Sequence, residues 1–335
     1  MAKRSLNTNL HKAKNSKMDE FYTQLSDIEK ELKHYKKHFK GKVVYCNCDD
    51  PSVSNFFHYF SHNFEKLGLK KLITTCYKNQ NADLFSKNDT DKAVYLEYEG
   101  DKNKNSVPDR DEIGIKPLKN DGDFRSKESI ELLKQADIVV TNPPFSLFRE
   151  YVSQLIEYQK KFVIIGNKNA ITYKEIFNLI KENKMWIGNT SMSTDLLFDV
   201  PKEYAQELIS NKKIGSGYKI VDGVVKGRAQ AIWFTNLDIA KRHEDLILYR
   251  TYSPEEYPKY DDYEAINVNK TKDIPMDYTG IMGVPISFLD RYNPEQFEIL
   301  GLDDHRLVYP DWRGRGPDLN GKTIYRRIII KNKKI

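Results

Sequence analysis

Cysteine is nearly absent: the 335-residue chain has three, Cys46, Cys48 and Cys76, all in its first quarter. Three thiols cannot build a disulfide framework, so a stapled secreted scaffold is excluded and a reducing cytoplasm is the expected compartment. Long apolar runs are missing too. None approaches the ~18 residues that a membrane-spanning helix needs, and no apolar stretch follows the lysine-studded N-terminus, so neither signal peptide nor membrane anchor is expected. No internal repeat is found. What the chain does have is 39% hydrophobic, 12% aromatic and 30% charged residues, enough to bury a core beneath a charged surface and to exclude wholesale disorder. A single core stops growing near ~250 to 300 residues, so the length suits one large or two ordinary domains.

Basic and acidic groups nearly balance, 54 against 48, for a net charge of +6. Their distribution is uneven: residues 1–42 hold 11 basic and 5 acidic groups (+6), residues 305–335 hold 9 and 2 (+7), and the stretch between them carries −7. Basic ends around an acidic middle suit a phosphate backbone, or are lysine-rich solvated tails.

Residues 1–17 lack apolar periodicity and are expected to form a basic arm. A helix is predicted over 26–39, with Ser26 and Glu29 as a capping box and Ile28, Leu32, Tyr35 and Phe39 at helical spacing on its apolar face. Residues 42–46 then read as a buried strand, followed by a polar turn and an aromatic-rich helix from Phe56 to Leu67. Further strands are predicted at 72–76 and 93–98, separated by polar stretches at 78–92 and 99–111. The clearest alternation follows: a helix at 129–135, a strand at 136–140, a helix capped by Ser146, a strand at 161–166, a helix with a Thr172–Glu175 capping box, and a strand at 185–187. Strands separated by helices imply parallel crossovers and a doubly wound α/β sheet, with ligands beyond the carboxyl ends of its strands. After about residue 190 the helices give way to short strands such as 230–235, and 250–280 is dense in Tyr, Pro and Asp, so a boundary is placed near 240. Asn293, Pro294 and Gln296 predict a short helix, and residues 324–330 a closing basic strand.

The most informative segment is DIVVTNPPF, residues 137–145. A buried strand delivers a rigid polar loop to the sheet edge. Asn142 offers a side-chain carbonyl, and Pro143, having no N–H, presents its backbone carbonyl beside it. Two adjacent acceptors suit an exocyclic amino group: accepting both protons localises a lone pair otherwise drained into the ring, so that it can attack an electrophilic carbon. Phe145 would stack on that ring. The same residues also make a tight strand-to-helix turn with an aromatic plug.

The Asn-Pro-Pro-Phe loop after a short apolar strand resembles the catalytic motif of amino-group methyltransferases that use S-adenosylmethionine. With DEFYTQ at 19–24, KVVYCNCDDPSVSNFF at 42–57, GDFRS at 122–126, YKEIFNLIKENK at 173–184, YEAINVNK at 263–270 and GVPISFLDRYNPEQFE at 283–298, nearly the whole chain resembles the EcoRI-type adenine-specific DNA methyltransferases. The resemblance implies a mostly parallel Rossmann-like catalytic domain over 18–240 and a smaller target-recognition region over 241–335. The implied reaction is methyl transfer from S-adenosylmethionine to N6 of an adenine flipped out of a specific double-stranded DNA site, within a restriction-modification system. Asn142, Pro143, Pro144 and Phe145 would be catalytic. Phe21, Tyr22 and Thr23 would close over the cofactor, Cys46, Asn47, Asp49 and Asp50 would form its first-strand loop, and Asp123 and Phe124 would contact the adenosine. That loop departs from the family pattern, since it has no glycine, and no acidic residue marks the ribose position near Cys76 and Tyr77. Trp233, chosen over Phe234, would be the second ring against the flipped base, because adjacent residues in a strand point to opposite faces and one of the two should face outward.

Arg313 and Arg315 are candidates for contact with DNA. A companion restriction endonuclease would act on the same site; no obligate protein partner and no membrane is expected. Zinc on Cys46, Cys48, His58 and His62 is rejected because the histidines belong to an aromatic helix, and magnesium on Asp49–Asp50 or Asp303–Asp304 because no wider acidic pattern surrounds either pair, so no metal is expected. Competing readings are an RNA adenine or protein glutamine methyltransferase, and a non-catalytic DNA-binding protein on a decayed methyltransferase sheet.

Overall fold

Four short apolar runs, Val43–Cys46 (β1), Lys71–Thr75 (β2), Ile138–Thr141 (β5) and Lys161–Asn167 (β6), form the parallel centre of a sheet, in the order β2-β1-β5-β6. The computed structural model describes residues 23–48, 54–75, 93–105, 108, 112–119, 121–200, 202–210, 215, 217–261, 264–303 and 317–334. These fall into two compact units, one built from the described residues up to 170 with Thr190–Leu237, the other from Ile171–Asn189 with Asp238 onward. A boundary thus falls at 237/238, while the segment 171–189, expected in the catalytic domain, clusters with the second unit.

In the first unit the chain enters through helices Leu25–Leu32 (α1) and Lys36–Phe39 (α2). The single helix predicted over 26–39 is broken at Tyr35 (φ −111°, ψ 3°), whose hydroxyl donates to Glu31 Oε1 at 2.7 Å. The expected Ser26 capping box does not form: Gln24 is the N-cap, so Ser26 lies inside the helix. After β1 come Asn55–His62 (α3), capped by Ser54 Oγ, which accepts from the Phe57 N–H at 3.3 Å, and Phe64–Leu67 (α4), which ends on left-handed Gly68 (φ 63°). Beyond β2, Val94–Tyr98 (β3) and Gly114–Pro117 (β4) extend the sheet antiparallel. Lys127–Gln135 (α5), capped by Ser126, leads to β5, and Phe148–Glu157 (α6) leads to β6. Ser146 caps nothing: it sits inside a 3-10 turn, Phe145–Leu147, that precedes α6.

The helix Lys174–Lys181 (α7) and strand Trp186–Ile187 (β7) belong to the second unit; the N-cap of α7 is Tyr173, with no side-chain cap, in place of the expected Thr172. The chain returns to the first unit through Leu196–Asp199 (β8), Lys202–Ser210 (α8), Tyr218–Val221 (β9) and Val224–Ala229 (β10). Strands β8-β10-β9 form an antiparallel sheet of their own, in which the ring of Phe198 lies over Gly227 where any Cβ would collide. Ala231–Thr235 (β11) then pairs antiparallel with β6. Both faces of the main sheet are covered: Val44, Tyr45, Val139, Val140, Phe162, Ile164 and Ile165 are all buried, which is why these strands read as continuous apolar runs.

The second unit is built on a four-stranded sheet of Ile266–Asn267 (β12), Ile281–Pro285 (β13), Phe297–Leu302 (β14) and Arg327–Asn332 (β17), in the order β12-β13-β17-β14. Ile266, Met282, Val284, Phe288, Phe297, Ile328 and Ile330 form its core. The short helix expected at 293–296 is a turn, in which Asn293 Oδ1 accepts from the Glu295 N–H at 2.8 Å. Asp318–Leu319 (β15) and Lys322–Thr323 (β16) make a hairpin around Asn320 and Gly321, both at positive φ, as a primed turn requires. Among the described residues no helix is long and apolar enough to cross a membrane.

Candidate functional site

The strand order turns back between β1 and β5. From β1 the chain builds outward to β2, then returns to place β5 on the other side, and a crevice at such a reversal, beyond the carboxyl ends of the strands, is where doubly wound sheets bind ligands. The register Val44↔Ile138 and Tyr45↔Val139 brings Asn47 level with Thr141. Thr141 Oγ1 donates to the Asn47 backbone carbonyl and locks the two strand ends together. One residue further along lies Asn142, 7% exposed.

Pro143 is also buried, and the Pro144 carbonyl accepts from the Leu147 N–H at 3.0 Å, which starts the 3-10 turn. Among the described residues no backbone N–H donates to the Pro143 carbonyl. Of the two proline carbonyls, the turn therefore leaves that of Pro143 for a ligand. Phe145 follows at 8% exposure, at the start of the turn. The loop thus carries, within four residues, a side-chain amide, a backbone acceptor and an aromatic ring.

Asn47 is held from a second direction. The Tyr151 hydroxyl, on α6 just after the Asn-Pro-Pro-Phe loop, donates to Asn47 Oδ1 with both groups buried. The Tyr151 ring meets Phe124 edge-on at 5.0 Å between centroids, and Gln154 Nε2, one turn along α6, donates to the Phe124 carbonyl at 3.1 Å. Burial drives the phenols of Tyr151 and Tyr45 well above their ordinary range, so both are neutral. Asp123 is gripped by Arg125, which donates to its carboxylate from Nε at 2.9 Å, Nη2 at 2.6 Å and its backbone N–H at 2.8 Å. Those hydrogen bonds hold the Asp123 carboxyl below the usual carboxylate range. In place of a glycine, the loop after β1 uses Cys48 in the left-handed region (φ 76°), a conformation uncommon for a residue with a side chain.

Of the residues expected to hold the cofactor, Cys46, Asn47, Asp123 and Phe124 are linked through Tyr151, α6 and the β1–β5 junction. Thr23 is buried, its carbonyl accepting from Asn55 Nδ2 at 2.8 Å at the start of α3. Phe21, Tyr22, Asp49, Asp50, Cys76, Tyr77, Arg313 and Arg315 lie outside the described residues. The expectation that one ring of the Trp233–Phe234 pair faces outward is corrected: both are 0% exposed. Trp233 packs edge-on against Phe56 (6.1 Å) and Phe234 meets Phe148 at a tilt (5.1 Å), because β11 is covered on both faces. Tyr151 was not singled out from the sequence, where it is one aromatic on the apolar stripe of α6.

A polar cofactor needs donors and acceptors that the protein's own fold has not used. The Oγ1 atoms of Thr23 and of Thr74, near the carboxyl end of β2, are buried without a hydrogen-bond partner among the described residues. Buried polar groups seldom stay unsatisfied, so these hydroxyls, with the amide of Asn47, fit a polar nucleoside-type ligand at this edge.

The family model of the adenine-specific methyltransferase EcoRI matches residues 9–333. The chain is 53% identical to the Type II methyltransferase M.EcoRI of Escherichia coli, over 100% of this chain and 99% of that one. It is 38% identical to M.MgeORF184P of Mycoplasma genitalium and 37% identical to M.MpnI of Mycoplasma pneumoniae, both named Type II methyltransferases, over 97% of this chain and 99% and 98% of theirs. No solved structure matches it. With the Asn-Pro-Pro-Phe loop at the reversal point of a mixed, centrally parallel sheet, and with a match that runs nearly from end to end, the chain belongs to the EcoRI family of adenine-specific methyltransferases.

Proposed function

We propose that the protein transfers a methyl group from S-adenosylmethionine to N6 of an adenine flipped out of a specific double-stranded DNA site, as the modification half of a restriction-modification system. The observation that carries this reading is the register of β1 against β5, which sets Asn142 one residue beyond Thr141 and beside the loop that follows β1. The cofactor, when bound, supplies a methyl group on a positively charged sulfur, an electrophile that needs no metal or acid to activate it.

The chain's own residues align the acceptor. Asn142 Oδ1 and the Pro143 carbonyl each accept a hydrogen bond from the adenine amino group, holding its lone pair toward the donor edge of the site. Phe145 stacks on the base. Asn47, fixed by Tyr151 and Thr141, with Phe124 and Asp123, orients the cofactor, and Phe21, Tyr22, Thr23, Asp49 and Asp50 complete its enclosure. Trp233 supports the site from within the sheet through Phe56. The second unit reads the target sequence, Arg313 and Arg315 contact phosphates, and the free thiols of Cys46 and Cys48 suit work in the cytoplasm.

The test is transfer of labelled methyl groups to short adenine-containing duplexes, followed by mapping of the modified base. Label at adenine N6 of duplex DNA is expected; label confined to RNA or to protein glutamine would overturn the substrate assignment.

A further inference from the structure

Between Glu31 and Asp49 the sequence has no acidic residue but five lysines, Lys33, Lys36, Lys37, Lys40 and Lys42, and four more, Lys66, Lys70, Lys71 and Lys78, follow Glu65 with no acidic residue until Asp83. The fold joins these two runs. Gly41 N donates to the Gly68 carbonyl at 2.7 Å and Lys70 N to the Lys42 carbonyl at 2.9 Å. A Cβ on Gly68 would lie 3.4 Å from Lys40 Cγ. Lys42 immediately precedes β1 and Lys70 immediately precedes β2, so both stand at the amino ends of parallel strands. The row continues along the same edge: Asp137 N donates to the Val43 carbonyl at 2.9 Å and Lys161 N to the Asp137 carbonyl at 3.3 Å. Lys36, Lys40, Lys66 and Lys70 are exposed and enter no ion pair among the described residues, whereas Lys42 lies 3.7 Å from Asp137.

Asn142 sits at the opposite, carboxyl edge of this sheet. From Lys42 to Asn47 the chain advances five residues of strand, about 16 Å at ~3.3 Å per residue. A duplex whose adenine lies at Asn142 would meet these lysines only by curving around the edge of the molecule, and bending a site of 20–30 base pairs by 40–90° costs of order 1–6 kcal/mol. A separate segment of DNA meets them at no such cost. Adjacent strands are ~4.8 Å apart, so Lys42 and Lys70 are neighbours at this edge. Lys40 lies against Gly68, and Lys36 and Lys66 are carried on α2 and α4, which pack on each other, a grouping of exposed cations of the kind that replaces condensed counterions on a phosphate backbone.

We infer that the amino edge of the central sheet, centred on Lys36, Lys40, Lys66 and Lys70, is a second duplex-binding surface that holds a DNA segment other than the one being methylated. The surface binds without sequence preference, through phosphates alone, and keeps the enzyme on DNA while the catalytic edge is empty or exchanging sites. The inference takes duplex DNA as its probe from the proposed function, but its test does not depend on catalysis.

The full-length protein and a Lys36→Gln/Lys40→Gln/Lys66→Gln/Lys70→Gln variant are titrated with a fluorescent 12-base-pair duplex of mixed sequence, and the bound stoichiometry is read by sedimentation. Wild type is expected to bind two duplexes per chain and the variant one. Four phosphate contacts carry a salt slope of about 3.6, so raising salt fourfold should weaken the second equivalent by about 150-fold and leave the variant's single duplex unaffected by that component. The variant should retain the wild-type thermal midpoint and methyl transfer to a short duplex within about twofold. One duplex per chain in both proteins would overturn the inference. So would collapse of the variant's methyl transfer with its fold intact, which would assign the lysines to the catalytic grip, or displacement of the second equivalent by single-stranded RNA or phosphatidylserine vesicles but not by duplex DNA. If wild type binds two duplexes yet methylates none, the proposed function fails while the second surface stands.

Discussion

The phenol of Tyr151 donates its hydrogen to the side-chain carbonyl of Asn47, joining the helix behind the Asn-Pro-Pro-Phe loop to the strand end that opens the loop after β1. Both residues are buried, Tyr151 at 0% and Asn47 at 4% exposure, so the bond is shielded from competing water. Tyr151→Phe removes one hydroxyl and keeps the ring against Phe124. Leaving a buried acceptor unsatisfied costs about 1–3 kcal/mol. Cofactor affinity measured by calorimetry is therefore expected to fall roughly tenfold, with turnover at saturating cofactor changed by less than about threefold. Unchanged affinity would show that the Asn47 amide does not face the cofactor.

Asn142→Ala is expected to separate binding from chemistry in the opposite sense. Deleting one preorganised partner of a transition-state charge typically costs about 10²–10³ in turnover, while the neighbouring Asn47–Tyr151 bond is untouched. Single-turnover methyl transfer should fall by that factor and the dissociation constant of the cofactor should stay within about twofold. A variant with normal turnover would remove Asn142 from the catalytic assignment.

The sheet was legible because its strands are buried on both faces and appear as short apolar runs separated by helical patterns, and the loop was legible because Asn142, Pro143, Pro144 and Phe145 are contiguous. Helix starts were read less well. Ser26 and Thr172 sit at capping-box spacing and Ser146 precedes an apolar stripe, yet the caps are Gln24, Tyr173 and Leu147 without side-chain bonds, because tertiary packing of the apolar stripe, and not the local cap, decides where each helix begins. Tyr151 and Asn47 are 104 positions apart, and no local pattern signals such a pair. The alternation rule failed at Trp233 and Phe234 since it fixes which faces residues occupy but not whether a face is open.

Those two rings yield a contrast with Phe145. Phe145→Ala should weaken capture of the flipped base by about 1–3 kcal/mol, read as loss of the fluorescence gain when 2-aminopurine replaces the target adenine. Trp233→Phe should lower the urea midpoint, through lost packing on Phe56, and leave that fluorescence gain intact. A Trp233→Phe protein with wild-type stability and no fluorescence gain would restore Trp233 as a stacking ring.

Gly166, in β6, has Phe148 and Phe234 directly over its Cα, where an added Cβ would overlap both rings. Gly166→Ala is expected to destabilise the fold by about 1–3 kcal/mol through overpacking, seen as a lower urea midpoint with an unchanged slope. A neutral effect would mean that the α6–β11 layer can spread without loss.

Acid should act through Asp123. Its carboxyl is held below the ordinary range by the hydrogen bonds from Arg125, so the folded state prefers the ionised form more than the unfolded state does. The stability this contributes is fully present above the ordinary aspartate value of about 3.9 and is lost as pH falls through the lowered folded value, where both states become protonated. Asp123→Asn, which cannot ionise, should be less stable than wild type at neutral pH, and the gap should close as the solution is taken from about pH 5 toward pH 2. Urea midpoints of the two proteins across that range measure the gap. A gap that stays constant with pH would show that the Asp123–Arg125 contact holds its segment by shape alone and carries no linked proton.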